Sequence, residues 1–448
     1  MKRLYITFAI LVFTMLFLLS CSARSGYEKS FPQQNAEAVS QPPSTGPAML
    51  RVLVDLRASD IAIHRTEDIK EFLKEMPGYK ESFDIQFEYL PTFDSASERN
   101  TEIDRLRLDL MQDKGPDIII CQNFYMDPQE LEWTGLSKTG LKSIFNIPQS
   151  AMKQRLFLPL DGYIANARYT EWDKLLPAVM DAGKDEKGRQ VIVPMTYKVN
   201  TSLFEKERYA PSGKLPMSRE ELLNSGDPAL EWVGISRWET VWDAFGGQID
   251  YQKGELAFSE EELLRICRQI AAARKGKETK DEHYNDVGCV VPGVSIGPQS
   301  FSFFGANCPE YIMIPAYNTQ GGVTASVGVY GAVSRSTAHP EEAFAVLDKL
   351  MSLDAMKTLD IYAADMPVHV DMCWRWNCPA GLEWRLSEWN FAQYAALREQ
   401  INVVDYMTPV NRELMDLWYQ ADAAEDEAQL EKLVHDSYTR MRMILAES

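Results

Sequence analysis

Lys114-Gly115-Pro116-Asp117-Ile118-Ile119-Ile120-Cys121 decides the fold of this chain. Adjacent Gly and Pro stop a helix. The run after them is apolar from Ile118 to Cys121, which is how a strand reads inside a parallel sheet covered on both faces. Upstream, Ile103, Leu106, Leu110 and Met111 recur at helical spacing and predict a helix over 97–113. Before it, Phe83-Asp84-Ile85-Gln86-Phe87-Glu88-Tyr89-Leu90 alternates as a strand. Phe72, Leu73 and Met76 predict a helix over 69–76, and Arg51-Val52-Leu53-Val54-Asp55-Leu56 predicts a first strand. Strand, helix, strand, helix, strand is the signature of an α/β fold.

Downstream the same alternation continues with longer gaps. Gln190-Val191-Ile192-Val193-Pro194 reads as a strand, as do 287–291, 311–314 and 327–333. Leu263, Leu264, Ile266, Cys267, Ile270 and Ala271 line one face of a helix over 260–275. A second helix, over 340–353, opens on Pro340-Glu341-Glu342, with acids at its positive end. The stretch 382–446 reads as mainly helical, and no internal repeat is visible.

At the N-terminus, Lys2 and Arg3 precede an apolar run from Leu4 to Leu19, and Leu18-Leu19-Ser20-Cys21 closes it. The run is shorter than the roughly 20 residues that span a bilayer, and no basic stop-transfer cluster follows. It resembles a bacterial lipoprotein signal, residues 1–20, which implies a mature chain beginning at a lipid-modified Cys21 on the extracytoplasmic face of the cell membrane. The alternative is a plain signal peptide with an incidental cysteine. Residues 21–47 carry the Cys and then Ser, Gln, Pro and Gly with little apolar content, and read as a disordered spacer.

The formal net charge is −19, a field that repels nucleic acid and anionic lipid. An anionic ligand would need a local basic site against it. Beyond Cys21 there are six cysteines, Cys121, Cys267, Cys289, Cys308, Cys373 and Cys378. Outside the cell they could form disulfides, Cys373 with Cys378 being close in sequence, or remain buried thiols. No second Cys pair or His cluster supports a zinc site, and no metal or cofactor is expected.

Several stretches resemble the extracellular solute-binding proteins of ABC importers, the group that includes maltose-binding protein. They are Lys114-Gly115-Pro116-Asp117-Ile118-Ile119, Phe157-Leu158-Pro159-Leu160-Asp161-Gly162-Tyr163-Ile164, Asp185 to Pro194, Gly331-Ala332-Val333-Ser334-Arg335-Ser336 with Pro340 to Leu347, and Met366-Pro367-Val368-His369. The resemblance implies a periplasmic-binding-protein-like fold, two α/β lobes joined by a multi-segment hinge. It places a first lobe at 48–197 plus 325–372 and a more helical second lobe at 198–324 plus 373–448. Crossings are expected near Met195 to Asn200, Gln320 to Ala325 and Asp371 to Pro379. A small solute, a sugar or oligosaccharide, would bind between the lobes of a monomer and pass to a membrane permease. A peptide-like solute or a surface sensor role are the sibling readings.

Sugars need flat apolar faces for their C–H patches and forked polar groups for their hydroxyls. Loops after first-lobe strands offer Asp55, Arg57, Gln122, Asn123, Phe124 and Tyr125, and the first crossover offers Tyr197. The second lobe offers Trp238 and Trp242, then Gln299 and Phe301 after Ile296-Gly297-Pro298, which resembles the turn before the family's ligand-stacking aromatic. Trp374 and Trp376 lie near the third crossing.

One stretch, Gly293-Val294-Ser295-Ile296-Gly297, matches the nucleophile elbow of α/β-hydrolases and makes a surface serine hydrolase the competing class. The elbow needs a helix directly after the serine, and Pro298 with Gln299 to Gly305 argues against one. No Walker loop, no Gly-x-Gly-x-x-Gly and no His-Glu-x-x-His is present, so no catalytic residue is assigned.

Overall fold

A computed structural model describes residues 47–56, 67–91, 96–123, 143–209, 215–235, 239–274, 289–295, 309–362, 365–372, 375–377, 383–385 and 387–447. Residues 1–46, which include the expected leader, Cys21 and all but the last residue of the expected spacer, lie outside the described residues.

The first sheet grows around the apolar run that opened the sequence. It contains β1 (Ala48–Asp55), β2 (Phe83–Tyr89), β3 (Ile118–Gln122), β4 (Ile192–Pro194) and β11 (Val329–Val333), in the order β2-β1-β3-β11-β4. Leu50, Val52, Ile118, Ile119 and Ile120 are fully buried, each side chain contributing about 1.5–3 kcal/mol. The helix Ala96–Met111 ends as the sequence predicts, through a left-handed Asp113 (φ 61°) whose neighbour Lys114 donates its N–H to Asp109 O at 2.8 Å. Gly115 then packs where a Cβ would run into the Leu110 side chain. β3 runs parallel to β1 but antiparallel to β11, so the sheet is mixed rather than all parallel as the apolar run implied.

The second sheet has β5 (Thr196–Glu205) at its centre. β10 (Val323–Val327) and β12 (Met366–Pro367) pair with the start of β5, while β8 (Cys289–Ser295) and β9 (Tyr311–Pro315) pair with its far half. β15 (Ile401–Asp405) extends the sheet by lying parallel to β10. Two small ladders, β6 (Ile249–Asp250) with β7 (Glu255–Leu256) and β13 (Arg375–Asn377) with β14 (Glu383–Arg385), complete the strands. The helices Glu239–Ala244, Glu260–Arg274, Pro409–Ala423 and Glu427–Ala446 enclose a core of their own, with Trp242, Phe245, Leu263, Leu414 and Met441 inside.

The chain passes between the sheets at short joints. β4 becomes β5 at Met195, whose N–H bonds Val329 O at 2.8 Å. The single strand expected over 327–333 is two strands on different sheets, parted at Gly328. This corrects the second crossing from 320–325 to Gly328. The position is crowded. Gly328 donates to Thr196 O and accepts from Asn123 N, and any Cβ there would overlap Asp365 Oδ2 and Thr196 Oγ1. The third passage runs through 365–372, earlier than expected: Met366 and Pro367 pair with β5, while Val368 and Val370 exchange backbone bonds with Leu176 and Lys174.

Two further expectations are corrected. The helix predicted over 340–353 stops at Leu350, and Ser352 caps a new helix, Leu353–Thr358, by accepting the Ala355 N–H. The region read as all helix contains β15.

Candidate functional site

Strand order β2-β1-β3 means the first crossover leaves β1 on one side and the next lands on the other. Loops after β1 and β3 therefore diverge, the position at which open α/β sheets place a ligand crevice. Asp55 ends β1, Gln122 ends β3 and Asn123 follows it, so three residues chosen from sequence meet here.

Asp55 is fully occupied. Arg99, in the first turn of the helix Ala96–Met111, grips it with Nη1 to Oδ1 and Nη2 to Oδ2, both at 2.7 Å. The two residues are 4% and 2% exposed. Asp55 is therefore part of the scaffold that ties this helix to the end of β1. Arg99 was not singled out in the sequence, where a charge in a helical stretch reads as a solvated face.

Asn123 holds the joint. Its N–H donates to Gly328 O at 2.6 Å and its Nδ2 to Val327 O at 3.2 Å. Its Oδ1 is buried with no donor to it among the described residues. Gln122 sits opposite Val329 in the β3–β11 ladder.

Behind these residues Cys121 faces Tyr330 across the ladder. Burial pushes the Cys121 thiol well up and so makes it an unreactive packing group. Tyr406, which follows β15 of the second sheet, packs edge-to-face on Tyr330, ring centres 5.6 Å apart at 86°. Its hydroxyl is buried and has no partner among the described residues. The second sheet adds two buried acids. Asp243 accepts from Asn200 Nδ2 at 3.1 Å, and Asp405 Oδ2 accepts the Gly247 N–H at 2.9 Å. Burial raises Asp405 to about 6, against the lowering effect of the Gly247 hydrogen bond.

Away from these residues, a groove of about 460 Å³ is lined by Arg107, Met111, Phe145 and Gln154 together with Pro409, Ile444 and Glu447. Arg107 is anchored by donating to Ile144 O at 2.6 Å and Ser143 O at 2.9 Å, and burial lowers its pKa.

The structure does not bring the other described aromatics to this crevice. Tyr197 is fully buried in β5 opposite Val327 and Met366, and Trp242 is packed inside the helical core of the second lobe. Both were expected near the ligand; both serve as core. Arg57, Phe124, Tyr125, Trp238, Gln299, Phe301 and Trp374 lie outside the described residues. Trp376 falls on β13. Ser295 is the last residue of β8, opposite Asn200. Cys121 and Cys267 are free buried thiols; Cys308, Cys373 and Cys378 lie outside the described residues and Cys289 begins β8. Among the described residues no cluster of three His, Cys, Asp or Glu side chains could hold a metal, and no helix is long and apolar enough to cross a membrane.

The architecture is that of the two-lobed solute-binding proteins. A family 1 extracellular solute-binding protein from Alicyclobacillus acidocaldarius matches with a TM-score of 0.58 at 14% identity, covering 90% of this chain and 99% of its own. The sugar-binding protein MalE from Xanthomonas citri matches with a TM-score of 0.59 at 12% identity, covering 89% and 98%. A cyclic alpha-maltosyl-1,6-maltose binding protein from Arthrobacter globiformis gives 0.53 at 16% identity, covering 90% and 100%. De novo designed esterases share the fold as well, so the fold alone does not assign a chemistry. No family model matches the sequence, and no curated protein matches it either.

Proposed function

We propose that this chain is an extracytoplasmic solute-binding protein that captures a sugar or oligosaccharide in the crevice between its lobes and delivers it to an ABC importer, held at the membrane by a lipid on Cys21. The observation that supports the reading is the divergence of the loops after β1 and β3 next to the joint between the two sheets, where Asn123 clamps Gly328. Two sheets connected through such short joints can swing as bodies, and a ligand touching both lobes favours the closed arrangement. Asn123 Oδ1 and the Tyr406 hydroxyl come from opposite sides of the joint, and each has hydrogen-bonding capacity that no described residue uses. The carbohydrate assignment draws on the ligands named for the structural relatives, maltose-type sugars among them. Binding needs no covalent step, and the buried thiol and the occupied carboxylate of Asp55 offer none.

The test is a melting-temperature screen of the mature chain against mono- and oligosaccharides, with peptides and amino acids as controls. Ligand at a hundred times its Kd adds about 2.7 kcal/mol, a readily measured shift. A rise with at least one carbohydrate is expected. A response to peptides alone, or to nothing in the panel, overturns the sugar assignment.

A further inference from the structure

Arg219 opens the helix Arg219–Leu223, whose cap is Ser218. Its side chain is buried, the residue being 6% exposed. Its Nε, Nη1 and Nη2 meet no hydrogen-bond acceptor among the described residues. Arg99 is as deeply buried, and there Asp55 fills the guanidinium fork from both sides. At Arg219 the charged group that makes itself felt is a second cation, Arg265, exposed on the helix Glu260–Arg274. Three acids on these two helices have other hydrogen-bond partners: Glu221 Oε2 accepts the Met217 N–H, Glu262 Oε2 accepts from Ser259, and Glu260 Oε1 lies 3.1 Å from His435 Nδ1.

A guanidinium carries five donors and stays charged at neutral pH. Burial first, and Arg265 second, push Arg219 down only to about 10. A charge stripped of water, with no acceptor among the described residues and beside another cation, is destabilising unless an anion joins the pair. The forked donors of two guanidinium groups match the oxygens of a phosphate, sulfate or carboxylate. In a chain of net charge −19 the general field repels such ions, so only a local pair of cations can hold one.

We propose that Arg219 and Arg265 together form a binding site for a small oxyanion in the second lobe, on elements separate from those that carry Asn123 and Tyr406. The oxyanion can be a free ion or the acidic group of a larger solute. The site stands independently of the sugar reading, because a seam ligand would bind whether or not Arg219 is charged.

The experiment compares melting of the mature chain in inorganic phosphate and in chloride at equal ionic strength. Phosphate is expected to raise the Tm by about 2 °C or more over chloride. Arg219→Met removes the uncompensated charge and keeps the apolar bulk. It is expected to melt above the native chain in chloride and to lose the phosphate response. Arg265→Gln, an exposed change that leaves the fold intact, is expected to raise the half-effective phosphate concentration about tenfold. A uronic acid that acts at lower concentration than phosphate would place the anion on a solute, while equal action would place it on the free ion; both support the site. Equal melting in phosphate and chloride, or an undiminished phosphate response in both variants, overturns it. A sugar response that survives Arg219→Met keeps the seam reading intact whatever happens here.

Discussion

Changing Asp55 to Asn tests whether this residue is scaffold or ligand contact. In the native chain its two oxygens each receive an Arg99 donor at 2.7 Å, with both residues at least 96% buried by area. The amide can accept one of these bonds and none of the charge. Arg99 is then left as an uncompensated buried cation, which costs about 3–5 kcal/mol. Whole-domain stabilities are about 5–15 kcal/mol, so the loss is large but need not unfold the chain. Urea unfolding of the native chain, Asp55→Leu, Arg99→Met and the double variant Asp55→Leu/Arg99→Met gives the cycle, with Asp55→Asn measured beside it as the isosteric single change. Each single change is expected to lose about 3 kcal/mol or more, and the double variant far less than their sum, because replacing both charges with apolar groups removes the desolvation penalty. Folded Asp55→Asn is expected to keep its ligand affinity within a few fold. A single-variant loss below about 1 kcal/mol, the general level of solvent-exposed ion pairs, would refute the scaffold assignment.

Further outcomes follow from the same geometry. Gly328→Ala forces a Cβ onto Asp365 and Thr196 and is expected to cost about 1–3 kcal/mol and to alter ligand affinity through the joint, read by denaturation and by titration. Asp405 has a folded pKa near 6, raised above the ordinary carboxylate, so its contribution to stability is full below about pH 4 and is lost as pH rises through about 6; Asp405→Asn should flatten the Tm profile across that window and melt no lower at pH 7. Asp348 accepts from Arg168 N, Tyr169 N, Thr170 N and Trp172 Nε1, so Asp348→Ala should cost about 3 kcal/mol or more by leaving buried donors unpaired, measured by urea unfolding. Ser295→Ala should leave sugar-dependent melting unchanged, and ester turnover that vanishes with this change would revive the hydrolase class.

The first sheet was legible because its strands are locally coded. Alternation at Phe83–Tyr89 and an uninterrupted apolar run at Ile118–Cys121 carry their own periodicity, and the Gly-Pro stop locates the helix end between them. The split at Gly328 was not legible, since the residues on both sides are equally strand-like and only the three-dimensional crowding by Asp365 and Thr196 breaks the strand there. β15 was hidden for a related reason: five residues between two long helices hold no periodicity of their own and pair with β10, far away in sequence. At the crevice, Asp55, Gln122 and Asn123 could be picked by their place after a strand. Arg99 could not, because its partner lies 44 residues away. Tyr197 and Trp242 show the converse failure, since an aromatic residue looks the same in sequence whether it stacks on a ligand or fills a core.

The central claim is that two lobes close over a solute at their seam. Small-angle X-ray scattering of the mature chain, with and without a saturating concentration of the carbohydrate found in the melting screen, measures this directly. The account expects a smaller radius of gyration and a shorter maximum dimension in the bound state. Scattering curves that superimpose, with binding confirmed on the same sample, would contradict it.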